Sequence, residues 1–148
     1  MSTVAQLLQE KGHAVWTVAP DAMVYDALSL MAEKNVGALV VVEGARVVGI
    51  LSERDYARKV ILKGRFSKET RVREIMSDKV YFVRPAQTVE ECMALMTAEH
   101  VRHLPVLEDD HLVGIVSIGD VVKATISEKE FLIAQLENYI TGSGGAKR

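Results

Sequence analysis

The sequence predicts a mixed α/β (α+β) fold made of two small β-α-β-β-α units that bury their faces against each other. Three observations predict it. First, the chain repeats itself: shifted by 65 residues without a gap, Pro20–Asp55 matches Pro85–Asp120 with thirteen identities in thirty-six pairs. Second, each copy carries apolar residues at helical spacing between two short β-rich runs. Third, the chain has 148 residues with 49% apolar content, enough for one domain or two very small ones packed together. Two copies at this period do not build a solenoid, so the units must cover one another.

The chain begins with "TVAQLLQEKG", a short helix with Gly12 as its stop signal. "AVWTV" and "KVYFV" then read as strands ending at Pro20 and Pro85. An amphipathic helix follows in each copy, Met23 to Asn35 and Thr88 to His100. Val24, Ala27, Leu28 and Met31 form one buried stripe, and Val89, Cys92, Met93 and Met96 repeat it. "ALVVV" and "HLPVL" read as strands, "EGAR" and "EDDH" as turns, and "VVGIL" and "LVGIV" as second strands. A second helix then opens on Ser-x-x-Asp, over Glu53–Lys63 and Ile118–Thr125. "TRVREIM" joins the units. Ser127 and Glu130 read as a capping box opening a separate final helix, Ser127–Ile140, and "TGSGGAKR" reads as a flexible tail. The expected divisions are repeat 1 over 11–66, repeat 2 over 76–126, the last helix over 127–141 and the tail over 142–148.

Composition sets limits on function. A formal net charge of −2 gives no general drive toward nucleic acid or anionic lipid. The longest apolar run, Val36–Val42 with its embedded glycine, is far too short to span a bilayer, and the N-terminus has no secretory pattern. The single cysteine, Cys92, excludes an internal disulfide and suits a cytoplasmic, reducing setting. Cys92 and His100 are eight residues apart, and Cys92 falls on the buried stripe, so no zinc site assembles from Cys92, His100 and His103. No P-loop, H-E-x-x-H or nucleophile elbow occurs, and no catalytic carboxylate pair has a pocket of its own. The run from Arg54 to Arg73 holds eight basic and two acidic residues; it reads either as a solvated face or as a rim attracting polyphosphate or an acidic partner.

"GILSERD" (Gly49–Asp55) and "GIVSIGD" (Gly114–Asp120) carry the chemistry. A strand delivers Ser52 or Ser117 to a helix start, where unpaired N–H groups and the helix dipole favour an anion. Asp55 or Asp120 then offers a carboxylate acceptor suited to a ribose diol. Ile50 and Ile115 could line a slot for a base. The same four residues also make a capping box with Asp in place of Glu, worth about 1 kcal/mol. The two roles are compatible.

With the repeat placed, the sequence strongly resembles a tandem pair of CBS domains, the regulatory modules named after cystathionine beta-synthase. "NVGALVVV", "HVRHLPVL", "VVGILSERD" and "LVGIVSIGD" carry the resemblance, and "EKGH" and "GILSERDYARK" look like the small free-standing bacterial pairs. The resemblance implies two inter-unit clefts related by a pseudo-two-fold axis, a homodimer, and bound adenosine compounds: AMP, ADP, ATP, NAD(H) or S-adenosylmethionine. It points to a non-enzymatic sensor reporting to an effector protein; the rival readings are a structural or adaptor protein working through its dimer surface and a hydrolase or transferase acting on a bound nucleotide. One cleft would join Ser117, Ile118, Gly119 and Asp120 to Gly12, His13, Gly37 and Ala38. The other would join Ser52, Glu53, Arg54 and Asp55 to Asp78, Lys79, Val80, Arg102 and His103. Arg54 stands where the other copy has Gly119, and Arg102 and His103 replace Gly37 and Ala38. The "SERD" cleft is therefore expected to be the more positive of the two.

Overall fold

The structure is a computed structural model describing residues 2–141. In chain order the elements are α1 (Val4–Lys11), β1 (Thr17–Val18), α2 (Val24–Lys34), β2 (Ala38–Glu43), β3 (Arg46–Ser52) and α3 (Glu53–Tyr56). A π-helical turn, Ala57–Ile61, extends α3. They continue with α4 (Val72–Ile75), α5 (Val89–Glu99), β4 (His103–Glu108), β5 (His111–Ser117) and α6 (Ile118–Thr141). The expected tail lies outside the described residues.

The duplicated helices form for the reasons the pattern gives. Val24, Ala27 and Met31 of α2 are buried, as are Val89, Cys92 and Met96 of α5. Full burial of each large apolar side chain is worth about 1.5–3 kcal/mol. Both helices stop at a left-handed residue, Asn35 or His100. The hairpins β2–β3 and β4–β5 are antiparallel, with matching irregularities after Val41 and Val106. Asp109 and Asp110 both take positive φ at the second turn, as a tight hairpin with right-handed strand twist requires.

The copies diverge at their first strand. β1 pairs parallel with β2, and the Val40 amide donates to the Trp16 carbonyl at 3.2 Å. The equivalent "KVYFV" does not form the expected strand; it keeps a single bridge, Val83 to Val106. Position 105 explains the loss. Pro105 stands where the first copy has Val40, so no N–H faces the Tyr81 carbonyl and the ladder cannot extend.

Two further expectations change. The helix expected over Glu53–Lys63 is a single α-turn followed by the π turn. Its wider bonds run from Leu62 N to Ala57 O and from Arg65 N to Val60 O (3.2 and 2.9 Å), and Gly64 at φ +69° ends it. In the second copy no break occurs at Ser127: α6 runs unbroken for 24 residues. No Gly or Pro lies between Asp120 and Thr141, so propagation needs no new nucleus.

The core has two clusters, and each borrows a leading segment. Val4, Leu7 and Leu8 of α1 pack with Val83, Val89, Met96, Leu104 and Val116 of the second unit. Val72 and Ile75 of α4, from the linker, pack with Val24, Met31, Leu39 and Leu51 of the first. The chain thus crosses between units, and the segment ahead of each unit completes the other one. Gly114 and Gly49 permit the close approach. A methyl at Gly114 would lie 2.8 Å from both Leu8 δ-carbons, and one at Gly49 would lie 2.7 Å from Met76 Sδ and 3.0 Å from Ser77 O. This is why both copies write glycine before the isoleucine.

Candidate functional site

The interface between the units holds two cavities. The larger, about 580 Å³, is the SERD cleft. Ile50, Ser52, Glu53, Arg54 and Asp55 line it from the first unit, with Gly37, Arg58 and Lys59. The linker adds Met76, Ser77, Asp78 and Lys79. From the second unit come Tyr81, Glu99, His100, Val101, Arg102 and His103. Every sequence-predicted member of this cleft except Val80 is in its lining.

The smaller cavity, about 410 Å³, is the SIGD cleft, lined by Lys11, Gly12, Ala14, Trp16, Asn35, Val36, Gly37, Ala38, His103, Ile115 and Ser117. Here the sequence-based grouping is only partly met. His13 faces away, its Nδ1 lying 3.2 Å from the Val113 carbonyl. Ile118 and Gly119 instead line a shallow outer depression along α6 with Val122 and Ile126. Continuing the helix from Ser117 turns these two positions outward. Asp120 is not in the lining; Lys11 covers it. The Lys11 ammonium donates to Asp120 Oδ2 at 2.5 Å and to the Ile115 carbonyl at 2.8 Å.

Both Ser-x-x-Asp motifs act as caps. Asp55 Oδ2 accepts from Ser52 N and Oγ at 3.0 and 3.1 Å, and the Asp55 amide donates back to Ser52 Oγ at 3.2 Å. In the second copy Ser117 N donates to Asp120 Oδ2 at 2.8 Å, and Asp120 N to Ser117 Oγ at 3.1 Å. The first helical amides are also used: Glu53 N donates to Gly37 O and Ile118 N to Arg102 O, at 3.0 and 2.8 Å. The helix starts therefore offer fewer bare N–H groups than the motif alone implies. Asp55 keeps its other oxygen toward the Lys59 ammonium, 3.2 Å away, and remains in the cleft wall.

Charge separates the clefts by density more than by net sign. The SERD lining holds five Lys or Arg (Arg54, Arg58, Lys59, Lys79, Arg102) against four carboxylates (Glu53, Asp55, Asp78, Glu99). In the SIGD lining the sole Lys or Arg among the described residues is Lys11. Partial burial works to raise the Asp120 carboxyl, but the Lys11 ammonium and the Ser117 amide outweigh it and hold it below the usual range. His103 lines both cavities. Burial first, then the nearby Lys11, pushes its imidazole below the ordinary value, with Asp120 opposing. The Arg54–Arg73 basic run is largely spent within its own unit: Lys59 also donates to Ile75 O, Arg65 pairs with Glu74, and Arg73 pairs with Asp21. Arg54 and Arg58 face the cleft, and Arg54 Nη1 donates to His100 O at 3.2 Å.

The residues that sequence reading missed carry a legible signal. Trp16 and Tyr81 sit in the two clefts at the same 65-residue offset, flanked by the identical pairs Val15/Val80 and Val18/Val83. Cys92 is buried on the core face of α5, and burial with the neighbouring Glu91 pushes its thiol up to about 11, which leaves it inert packing. Among the described residues no group of three His, Cys, Asp or Glu could hold a metal ion, and no helix is long and apolar enough to cross a membrane.

Two homologous α+β units, crossed at their leading segments and enclosing paired clefts, define a tandem domain pair. The CBS domain model matches residues 3–62 and 72–127, and the chain belongs to that family. Among its relatives is the mitochondrial CBS domain-containing protein CBSX3 of Arabidopsis thaliana, 42% identical over 95% of this chain and 73% of that one. A solved protein with CBS domains from Burkholderia ambifaria is 54% identical, covering 85% of this chain and 95% of that chain with a TM-score of 0.82. The fold is shared as well by the CBS domain pair of MJ0100, solved in complex with 5′-methylthioadenosine and S-adenosyl-L-methionine. That pair is 21% identical, with a TM-score of 0.77 over 86% of this chain and 98% of that one.

Proposed function

We propose that this chain is a non-enzymatic regulatory module that binds an adenine nucleotide between its repeats and signals to a partner protein. AMP, ADP, ATP and NAD(H) are the candidate ligands. The supporting observation is the SERD cleft: both repeats and the linker contribute to one cavity of about 580 Å³. Asp55 accepts from the ribose hydroxyls, Ile50 lies against the base, and Arg54, Arg102 and His103 meet the phosphates. A guanidinium suits phosphate oxygens because its fork donates two parallel hydrogen bonds. In the SIGD cleft Ser117, Ile115, Gly12, Gly37 and Ala38 surround the ligand, with Asp120 behind Lys11. A ligand touching both units changes their relative tilt only if it binds one tilt better than the other, and that difference is the signal. S-adenosylmethionine is the second reading, favoured by the MJ0100 pair.

The exposed Ile118, Val122 and Ile126, four residues apart along α6, fit a homodimer seam. Sedimentation at increasing protein concentration tests that, and a monomer throughout would refute it. The lone buried thiol suits a cytoplasmic setting. For the site itself, calorimetric titration with AMP, ATP and NAD should give binding that Asp55→Ala weakens about tenfold or more, the value of a lost charge-assisted hydrogen bond. Identical curves for wild type and variant would refute the assignment.

A further inference from the structure

We propose that Lys11 is the discriminating residue of the SIGD cleft, a displaceable cation that makes this cleft select 5′-phosphorylated adenosine over uncharged or sulfonium adenosine compounds. The assignment rests on reading the clefts as adenosine sites. The Lys11 ammonium sits where the cleft floor meets its acceptor, bound to the Ile115 carbonyl and to Asp120 Oδ2. Asp120 is thereby held in an ion pair.

The other cleft is built on the same plan but resolved differently. Lys79 follows Met76 by three residues, as Lys11 follows Leu8, and Met76 and Leu8 meet the equivalent glycines. Lys79, however, lies over the Tyr81 ring, 5.7 Å from its centroid, and Asp55 takes its ammonium partner from Lys59 on its own helix. The SERD cleft thus keeps its aspartate partner without a leading-segment lysine and spreads its positive charge over five side chains. The SIGD cleft has only Lys11 among the described Lys and Arg of its lining.

The consequence follows from charge balance. A ribose diol that donates to Asp120 Oδ2 competes with Lys11 for that oxygen. The released ammonium needs a new anion at close range. A 5′-phosphate supplies one; adenosine supplies none, and S-adenosylmethionine puts a sulfonium, a like charge, at the 5′ position, with its carboxylate several bonds farther out beside an ammonium. Neutral ligands therefore pay for breaking the Lys11–Asp120 pair without replacing it.

Trp16 makes the test specific to this cleft. It is the chain's one tryptophan, it lines the SIGD cleft, and Lys34 lies 4.5 Å from its ring centroid. Its fluorescence is followed in the intact protein during titration with AMP, adenosine and S-adenosylmethionine. In the wild type AMP should act at concentrations at least about tenfold lower than the other two, as expected for a gained charge-assisted contact. Lys11→Met should shift the AMP curve about tenfold upward and leave adenosine unchanged or tighter, because Asp120 is freed. Lys11→Arg should retain the AMP preference. Equal weakening of AMP and adenosine in Lys11→Met would reduce Lys11 to a structural role and overturn the proposal, as would an undiminished AMP advantage. Silence of Trp16 toward all three compounds in the wild type, with binding at the SERD cleft intact by calorimetry, would overturn the adenosine reading of this cleft and the role of Lys11 with it.

Discussion

The crossed leading segments make a quantitative prediction at Gly114. An alanine there places a methyl 2.8 Å from both δ-carbons of Leu8, inside van der Waals contact. Leu8 is 1% exposed and belongs to the core of the second unit, so it has little room to retreat. Overpacking of this kind costs about 1–3 kcal/mol. Leu8→Ala alone removes a fully buried side chain and leaves a cavity, at about 2–5 kcal/mol. In the double variant the Gly114→Ala methyl enters the space that Leu8 vacates. The clash disappears and the cavity shrinks, so the double variant should be less destabilised than the sum of the singles, with a coupling of about 0.5–3 kcal/mol. Urea unfolding followed by circular dichroism measures all four proteins, and unchanged m-values validate the comparison. For a chain this long each kcal/mol moves Tm by about 2–4 °C. Strictly additive losses would show that α1 does not seat on β5, and the crossed assembly would be wrong.

Three other outcomes follow from single contacts. Because the folded Asp120 carboxyl lies below its unfolded value, the unfolded chain binds more protons in that window; the stability of wild type relative to Asp120→Asn should be greatest near neutrality and shrink as pH falls through the folded value, measured by urea unfolding across pH. Cys92, with its thiol raised to about 11, should resist iodoacetamide at pH 8 in the native protein and react promptly in urea, as mass spectrometry would show. Pro105→Val restores the donor that Val40 provides in the first copy, so the new amide at position 105 should exchange slowly with solvent; exchange at the rate of an unbonded amide would refute the explanation for the missing strand.

The parts of this structure readable from sequence are those that repeat in register. Val24/Val89, Met31/Met96, Gly49/Gly114 and Ser52/Ser117 share one offset, and the helices, hairpins and caps fall where that offset puts them. What escaped lies where the register slips or where only three dimensions decide. Leu8 and Lys11 match Met76 and Lys79 at an offset of 68 instead of 65, so the register of the repeat slips ahead of the segments that cross between units. Pro105 was visible, but its effect depends on which carbonyl it faces. The π turn at Ala57–Ile61 has no residue signature. The Ser127–Glu130 box is a true local signal that continuous α6 overrides. In the site, Ser52, Arg54, Asp55, Arg102 and His103 line one cavity, the grouping that the family resemblance implies. Ile118 and Gly119 do not, because a four-residue motif read as a unit conceals that a helix turns successive side chains by about 100°.

A two-sided grip on one ligand is most directly tested by amide chemical-shift mapping of the intact protein titrated with AMP. A single saturating transition should move Ser52–Asp55 of the first repeat and Tyr81 and Arg102 of the second, which line the SERD cleft alone, together and at the same midpoint. Shifts confined to one repeat, or lying outside both clefts, would contradict it.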